Sequence, residues 1–350
     1  MLVTRTVPQL DLPAAEARAA VLGRPVTAES FHAAFAGFAC LHAVECVPPP
    51  AARGAGDSAR IVFWNAERLK YLEPSIALLA AQRADVLLLC EVDLGMARSG
   101  NRHTIAELAR SLEAGWTFGA EFVELDLGDA RERAWHAGQQ NSAGLHGGGI
   151  VSALPLRRPA LVRLETSGRW FDGAFGERRV GGRIAMMAEI EVGGRPVLLA
   201  SAHYESHTGP ADRLLQTRAM LDAIDAHAPG VPVLIGGDFN TNTFELEDKH
   251  RRATDPALAV DPHRLVEPQP WEPMFAELAG RGYDWRSCNV PLAATQRTRP
   301  DGTPKPPFGK IDWLFARGLR CCDPAVVPAV DDAGVAISDH EALAVTIAPA

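Results

Sequence analysis

Short apolar runs that alternate with amphipathic segments constrain the fold of this 350-residue chain more than any other feature. The runs IVFW, DVLLLC, RPVLLASA and VPVLIGG each have the length of a buried strand, and the segments between them have the apolar spacing of helices. Strands that alternate with helices indicate an α/β chain. A Gly193-Gly194 pair between two apolar runs predicts a β-hairpin, so we expect mixed sheets rather than purely parallel ones.

The N-terminal segment has a different pattern and is predicted to be helical. Phe31, Phe35 and Phe38 recur at helical spacing, and this stripe indicates a surface that packs against the rest of the chain. A Pro/Gly-rich linker follows it. We therefore predict a helical N-terminal extension with its linker over residues 1–58, and a main domain over residues 59–350.

Composition limits the partners and the compartment. With 43 acidic and 35 basic residues the net charge is −8, whereas proteins that bind long nucleic acids usually carry a basic face. Nucleic acid is therefore disfavoured as a partner, although a local basic pocket remains compatible with this balance. The sequence shows no apolar run of membrane-spanning length and no secretory signal, and its six cysteines form no CxxC pair. We expect a cytoplasmic protein with reduced cysteines.

Polar side chains stand at one end of six predicted strands. A turn-capping role explains any one of them, including the Asp339-His340 pair in ISDHEALAV. Six such ends together indicate a site, because strand ends are where sites assemble in α/β sheets. The residues are Asn65 and Glu67, Glu91, His203, Asp238 and Asn240, Asp312, and Asp339 and His340.

The types of these side chains narrow the chemistry. Carboxylate and carboxamide oxygens suit Mg²⁺ or Mn²⁺, so one or two such ions are the expected cofactors. Histidines away from thiols suit proton transfer or contact with a phosphoryl oxygen. The sequence has no GxSxG motif, and its glycine-rich GGGIVSALP lacks the GK[ST] ending of a phosphate-binding loop. Metal-assisted attack of water on a phosphoryl group fits best.

Taken in order, these motifs resemble those of the endonuclease/exonuclease/phosphatase superfamily, which has the DNase I-like fold. The matching segments are FWNAE, LLCEVD, GGGIVSALPL, ASAHYES, GGDFNTN, GKIDWLF and SDHEALAV, which together span about residues 60–348. The resemblance implies an α+β architecture, in which a two-layer β-sandwich of mixed sheets is flanked by helices and carries the site at one end. It also implies that the main domain is a Mg²⁺- or Mn²⁺-dependent phosphoric ester hydrolase.

The resemblance implies which residues hold the metal. Glu91 would be the main ligand, and Asn65 would hold the phosphate or the metal shell. Glu67 occupies the second acidic position of the same motif. Asp339 would be a further carboxylate of the metal shell.

The remaining strand-end residues would be catalytic by the same resemblance. Asp238 and Asn240 would orient the attacking water or a second metal. His340 would contact the scissile phosphate and take part in proton transfer, with Asp312 fixing its tautomer. His203 matches a histidine of DNase-like and sphingomyelinase-like branches that assists protonation of the leaving group.

Four further residues are weaker candidates for substrate binding. Arg98 and Arg102, in GMARSGNR, could bind a substrate phosphate or could pair with nearby acids in a solvated loop. Lys310 is a candidate because it lies beside Asp312. His146 could replace a phosphate contact that many relatives make with an asparagine at the position of Gly148, or it could be a surface histidine.

The substrate is the least determined property. Three insertions separate the motifs, at residues 124–148, 166–182 and 242–272, and their mixed charge and Gly, Trp and Arg content suit closure over a compact ligand. Together with the acidic balance, this favours a small-molecule or lipid-like phosphate ester, cleaved by a phosphodiesterase or a phosphatase. An endo- or exonuclease acting on DNA or RNA is the second possibility, and a non-catalytic binding protein that keeps the fold is the third, because fold alone does not decide function.

Overall fold

A computed structural model describes residues 1–51, 53–251, 261–302 and 308–350. Most of these residues belong to two β-sheets and the helices that cover them. The strands are β1 Leu2–Val3, β2 Thr6–Val7, β3 Val44–Val47, β4 Ala59–Arg68, β5 Val86–Leu94, β6 Gly115–Glu124, β7 Leu145–Ser152, β8 Arg157–Arg163, β9 Arg179–Gly181, β10 Ile184–Val192, β11 Arg195–His203, β12 Val233–Asp238, β13 Asp312–Arg317, β14 Leu319–Val327 and β15 Ala342–Pro349. The helices are α1 Ala15–Leu22, α2 Ala28–Gly37, α3 Leu72–Ala81, α4 Thr104–Ser111, α5 Ala130–Trp135, α6 Pro210–His227, α7 Leu246–Arg251, α8 Pro262–Val266 and α9 Met274–Gly280.

Both sheets are mixed, as predicted. The first has the strand order β1-β8-β10-β11-β12-β13, and the second has the order β14-β15-β4-β5-β7-β6-β3-β2, with β9 added beside β6. Parallel pairs β4–β5 and β11–β12 lie among antiparallel ones. The predicted hairpin is β10–β11, and its turn residues Gly193 and Gly194 have φ angles of 56° and 70°, which glycine adopts without a steric penalty.

Side-chain alternation along the strands builds the layers. Phe63 and Leu88 lie in an apolar cluster between the two sheets, whereas their neighbours Trp64 and Leu89 lie in a second cluster on the outer face of the second sheet. Successive strand residues point to opposite faces, so one strand can fill both clusters. A third cluster packs helices α6 and α9 against the outer face of the first sheet. The result is the DNase I-like β-sandwich flanked by helices that the sequence predicted.

The prediction of a purely helical N-terminal extension is wrong in part. Helices α1 and α2 form, but β1 joins the first sheet and β2 and β3 join the second. These strands have two to four residues, which is too short for sequence periodicity to reveal, and pairing with distant strands determines them. The aromatic stripe packs as predicted: Phe31 and Phe38 are buried, Phe35 lies against them, and the Phe31 ring is 5.7 Å from that of Phe171.

The insertions between the motifs carry their own structure. The 124–148 segment contains α5, and the 166–182 segment contains β9, which pairs with β6. The 242–272 segment contains α7 and α8, and its residues 252–260 lie outside the described part of the chain. Among the described residues, none of the helices combines the length and the apolar character needed to cross a membrane.

Candidate active site

Six strand ends meet at one end of the sandwich. Parallel β4 and β5 finish there, and Asn65 is near the end of β4. Parallel β11 and β12 finish with His203 opposite Asp238, and antiparallel β13 begins with Asp312 opposite Asp238. His340 lies two residues before β15, which is antiparallel to β4. Because antiparallel strands begin where their neighbours end, residues that are far apart in sequence come together at this edge.

The backbone at this edge departs from regular strand geometry. The β4–β5 ladder shifts register after Asn65, and the β5–β7 ladder shifts register around Glu91. Such bulges turn side chains away from the regular alternation. Glu67, Glu91 and Asn240 have φ angles of 40°, 50° and 49°, a region that costs a non-glycine residue on the order of 1 kcal/mol or more and that is found most often at functional sites.

Asn65 joins carboxylates from the two sheets. Its side-chain Nδ2 donates to Glu91 Oε1 at 3.2 Å and to Asp238 Oδ2 at 3.0 Å. The Asp238 carboxylate also accepts the backbone N–H of Asn240 at 3.0 Å, and Asn240 Nδ2 donates to the Tyr204 carbonyl. All of these groups except part of Glu91 are buried. One amide thereby fixes the spacing of one carboxylate from each sheet.

A second pair of carboxylates lies beside the first. The backbone N–H of Asp339 donates to Glu67 Oε2 at 3.1 Å, and Lys70 Nζ is 2.8 Å from Glu67 Oε1. Burial, and next the negative charge of Asp339, raise the pKa of Glu67. Arg299 Nε is 3.5 Å from Asp339 Oδ2. Lys70 and Arg299 thus each pair with one of the two neighbouring carboxylates.

His340 and Asp312 form a buried imidazole–carboxylate pair. His340 Nδ1 is 2.9 Å from Asp312 Oδ2 and 3.1 Å from Oδ1. The other ring nitrogen, Nε2, is 3.9 Å from Asp238 Oδ2 and 3.8 Å from Asp339 Oδ1. Burial alone would lower the pKa of His340, but the adjacent Asp312 carboxylate raises it well above its ordinary value. Nδ1–H therefore donates to Asp312, and Nε2–H points toward the centre of the site.

His203 forms a second pair that the sequence revealed only in part. Its Nδ1 is 3.2 Å from Glu121 Oε2, and its Nε2 is 3.9 Å from Glu91 and 3.8 Å from Asp238. Arg183 Nη1 donates to the other oxygen of Glu121 at 2.5 Å. Burial opposes ionisation, yet His203 and Arg183 lower the pKa of Glu121 to about 2. Neither Glu121 nor Arg183 ends an apolar run, so the strand-end pattern could not identify them.

Arg68 is another residue that the sequence motifs did not single out. Its Nη1 is 3.1 Å from Glu91 Oε2, and its Nε is 3.2 Å from Glu132 Oε1. Glu132 belongs to α5, where Asp129 and Glu132 form a capping box at the first turn. The 124–148 insertion thus supplies a carboxylate that holds Arg68 against the predicted metal ligand.

Arg98 and His146 lie in a buried network behind Arg68. The Arg98 guanidinium is paired with Asp93 at 2.9 Å and with Glu132 at 3.0 Å, and its side chain is fully buried. This position supports α5 and does not present Arg98 to a ligand. His146 Nδ1 contacts Asp93 Oδ1 at 2.8 Å, and one side of His146 lines the active-site pocket.

Arg102 and Lys310 lie away from the strand-end residues. Arg102 forms half-exposed ion pairs with Glu107 at 2.7 Å and Glu73 at 2.8 Å. It thus pairs with nearby acids in a solvated loop, the second of the two possibilities raised by the sequence. Lys310 Nζ donates to the Val290 carbonyl at 2.7 Å and borders a separate cavity of about 580 Å³. Lys310 does not line the active-site pocket, although it is only two positions from Asp312 in sequence.

Seven of the nine strand-end residues line a polar pocket of about 260 Å³, and the other two, Asn65 and Asp312, lie behind it in contact with Asp238 and His340. The insertions contribute to its walls, since α5 and the 166–182 segment both border it. Arg131 of α5 reaches across to Asp301 at 3.1 Å, which closes one side of the mouth. The lining includes Glu67, Arg68, Glu91, His146, Trp170, Arg183, His203, Asp238, Asn240, Asp339 and His340.

The side chains present fit a divalent cation. Glu91, Asn65, Glu67 and Asp339 offer oxygen atoms, which Mg²⁺ and Mn²⁺ prefer, and the three carboxylates among them line the pocket. Asp238, Asp312 and His340 also place one potential ligand atom each within 4.8 Å of the others. Since both Asp312 oxygens contact His340 Nδ1, we assign that pair to proton chemistry and not to ligation.

Solved structures with the same architecture place this site in context. An endonuclease/exonuclease/phosphatase from Beutenbergia cavernae DSM 12333 is 21% identical, with 84% of this chain and 72% of that chain covered, at a TM-score of 0.56. A mannosyl-6-phosphatase from Bacteroides thetaiotaomicron VPI-5482 is 12% identical, with 83% and 99% covered, at a TM-score of 0.52. Identities this low show a common fold. The curated proteins include no match to this chain.

The family assignment rests on the sequence profile of the Endonuclease/Exonuclease/phosphatase family, which matches residues 62–340. The match covers well over half of the chain and extends from β4 to His340 of the site. This family covers phosphatases and nucleases, which hydrolyse phosphate esters and generally depend on divalent metals. The chain belongs to the endonuclease/exonuclease/phosphatase family.

Proposed function

We propose that this protein is a divalent-metal-dependent hydrolase of phosphate esters, with a small-molecule or lipid-like substrate. One observation supports the proposal: side chains from six strand ends come together at one pocket, which four of them line and the other two support by hydrogen bonds, and their types are those that phosphoryl transfer to water requires. The members of this set are Asn65, Glu91, His203, Asp238, Asp312 and His340.

Four residues would hold the metal. Glu91 is the central ligand, with Asn65, Glu67 and Asp339 around it. A bound Mg²⁺ or Mn²⁺ would supply Lewis-acid stabilisation of the phosphoryl oxygens and would lower the pKa of a coordinated water. Asn65 donates to both Glu91 and Asp238, so it fixes the central ligand relative to the carboxylate that would orient the water.

The other residues position the reacting groups and move protons. Asp238, whose carboxylate accepts the Asn240 N–H, is placed to orient the attacking water. His340 Nε2–H points into the site and would donate to a phosphoryl oxygen as negative charge builds there, while Asp312 keeps the ring in that orientation. His203 faces the same pocket through Nε2 and would protonate the leaving oxygen, with Glu121 holding Nδ1.

The shape of the pocket supports a compact substrate. Its volume of about 260 Å³ suits a phosphate group with a small organic substituent, and the Arg131–Asp301 ion pair closes one side of the mouth. A duplex needs an open groove with unpaired basic groups. Here the basic side chains Arg68, Arg183 and Arg299 that border the pocket are each paired with carboxylates.

The proposal is tested by comparing Glu91→Gln with wild-type protein on bis(4-nitrophenyl) phosphate and 4-nitrophenyl phosphate, with Mg²⁺ or Mn²⁺. We expect wild-type turnover that excess chelator abolishes and added metal restores. Glu91→Gln should lose at least about a hundredfold in turnover, a loss typical of a removed electrostatic group. Glu113→Gln, at an exposed position outside the pocket, should behave as wild type.

Two outcomes contradict the proposal. Full turnover in excess chelator would exclude a metal-dependent reaction. Affinity for single- or double-stranded DNA that falls steeply with salt, together with faster cleavage of DNA than of any small ester, would replace the small-molecule substrate by nucleic acid.

A further inference from the structure

The active-site pocket has a polar floor and an aromatic wall, and the two have different origins. The carboxylates and catalytic imidazoles of the floor come from the strand ends. The rings of the wall come mainly from the insertions: Trp135 from α5, and Trp170 and Phe175 from the 166–182 segment, with His207 beside them. The family motifs do not include these rings, so the reaction chemistry alone does not explain them.

The wall is built as a fixed stack. The Phe175 ring lies parallel to the His207 ring, with centroids 4.1 Å apart and planes 23° apart. Trp170 meets both rings edge-on, at 5.1 and 5.2 Å. Its Nε1 donates to Glu205 at 2.8 Å, and the Arg179 guanidinium lies 4.5 Å above its ring. The hydrogen bond from Nε1 therefore fixes the orientation of the Trp170 ring. Phe175 is half-buried and borders the pocket.

Trp135 extends the aromatic surface to the mouth of the pocket. Its side chain is 55% exposed, although a tryptophan gains from burial of its large ring. The Arg131 guanidinium lies 5.8 Å from the ring centroid and is itself held by Asp129 and Asp301. A planar group bound in the pocket mouth would cover Trp135 without disturbing the floor.

We propose that this wall binds a planar aromatic ring in the organic part of the substrate, so that the natural substrate is a phosphate ester of an aryl group. This inference rests on the proposed function, because it places the phosphoryl group on the polar floor. Flat rings stack on Phe, Trp and His faces, and a neighbouring guanidinium adds to the attraction. The pocket volume of about 260 Å³ leaves room for a phosphoryl group and little more than one ring system.

The test uses two non-hydrolysable probes, phenylphosphonate and methylphosphonate, in isothermal titration with Mg²⁺ present. They share the phosphoryl group and differ in the ring, so the ratio of their affinities reports on the wall alone. We expect wild-type protein to bind phenylphosphonate about tenfold more tightly, which is within the range for stacking on an aromatic side chain. Trp135→Ala and Phe175→Leu should bring the ratio close to one while the affinity for methylphosphonate stays unchanged.

Trp271→Ala is the matched control. Trp271 is also exposed, at 42%, and also has an arginine over its ring, with Arg264 at 4.8 Å, but it borders the other cavity. It should keep the wild-type ratio. Phe175→Leu retains apolar volume, so it separates the loss of a ring from the loss of packing, and thermal unfolding identifies any variant that is not folded.

Two results would overturn the inference: equal affinity of wild-type protein for both probes, or an unchanged ratio in both folded wall variants. The inference and the proposed function fail separately. A protein that prefers phenylphosphonate but hydrolyses no phosphate ester would contradict the proposed function and support the ring site. A protein that hydrolyses phosphate esters but binds both probes equally would support the proposed function and contradict the ring site.

Discussion

Two imidazole–carboxylate pairs face the same pocket, and both join the two sheets. His340 precedes a strand of the second sheet and contacts Asp312 of the first sheet at 2.9 Å. His203 ends a strand of the first sheet and contacts Glu121 of the second sheet at 3.2 Å. In each pair Nδ1 faces the carboxylate and Nε2 faces the centre of the site. The pairs differ in what else holds the carboxylate.

A neutral hydroxyl supports Asp312, whereas a guanidinium supports Glu121. The Thr295 hydroxyl accepts the backbone N–H of Asp312 at 3.1 Å, and the negative charge of Asp312 raises the pKa of His340. Glu121 shares its charge between His203 and Arg183. The two carboxylates therefore differ in the charge around them, because the Arg183 guanidinium neutralises part of the charge of Glu121, whereas the hydroxyl beside Asp312 carries none. We expect His340 to donate to a phosphoryl oxygen and His203 to deliver a proton to the leaving oxygen.

The largest expected effect comes from removing the His340 donor. His340→Ala should lower turnover by about 10³-fold or more, because the transition state then loses a preorganised donor to the phosphoryl oxygen. Asp312→Asn should lose somewhat less, since the ring remains. Turnover at saturating metal is the measurement, and the exposed His32→Ala serves as control. Wild-type turnover in His340→Ala would mean that the Asp339-His340 segment is only a turn.

The second prediction separates the two histidines by leaving group. His203→Asn should lower turnover by about a hundredfold on an alkyl phosphate ester, whose alkoxide needs a proton to leave. On a 4-nitrophenyl ester the loss should be much smaller, because 4-nitrophenolate leaves without one. His340→Gln should lose equally on both esters. If the His203→Asn loss is the same for both leaving groups, His203 does not protonate the leaving oxygen.

The two pairs were not equally visible in the sequence. His340, Asp312 and His203 each adjoin an apolar run, so the strand-end pattern found them, and the family resemblance supplied the pairing of residues 28 positions apart. Glu121 lies inside β6, at a register shift between Ala120 and Phe122 that turns its side chain toward the site. A sequence shows a polar residue within a strand but does not show a bulge. Long-range pairing fixes the bulge, so Glu121 and its partner Arg183 remained hidden.

The arginines of the GMARSGNR segment illustrate the same limit. Arg98 and Arg102 are four positions apart and chemically identical. The structure buries Arg98 among carboxylates of other segments and leaves Arg102 in half-exposed ion pairs. Local sequence could not distinguish them, because the acids that partner Arg98 include Glu132, which the α5 insertion brings from 34 residues away.

The third prediction concerns the stability that the shared carboxylate supplies. Glu121→Gln leaves Arg183 with Glu205 as its remaining carboxylate, at 3.3 Å, and should lower the free energy of unfolding by about 2 kcal/mol. That loss is smaller than the roughly 3–5 kcal/mol of breaking an unshared buried ion pair. Denaturant unfolding at neutral pH measures it, and the exposed Glu113→Gln should change little.

The stability that ionised Glu121 contributes should also depend on pH in the acid range. Because folding lowers the pKa of Glu121 to about 2, its contribution is complete above the ordinary carboxyl value and is lost as the pH falls from about 4.5 toward 2. The free energy of unfolding of Glu121→Gln should therefore fall less steeply over this interval than that of wild type. Identical slopes would show that Glu121 is not held ionised by Arg183 and His203.

The smallest effect is expected from removing the Thr295 hydroxyl next to Asp312. Thr295 Oγ1 accepts the backbone N–H groups of Ile311 and Asp312, both at 3.1 Å. Thr295→Val should cost about 1 kcal/mol of stability, because buried donors lose their acceptor, and should lower turnover only a few-fold, since Asp312 keeps its contact with His340. Thr117→Val is the matched control: Thr117 is also buried and accepts one backbone N–H, from Ile150, but it lies away from the pocket. Thr117→Val should lower the free energy of unfolding by a similar amount without changing turnover.

If Thr295→Val instead loses as much turnover as Asp312→Asn, then the hydroxyl orients Asp312 as firmly as Arg183 orients Glu121. The two pairs would then be supported alike despite their different charges.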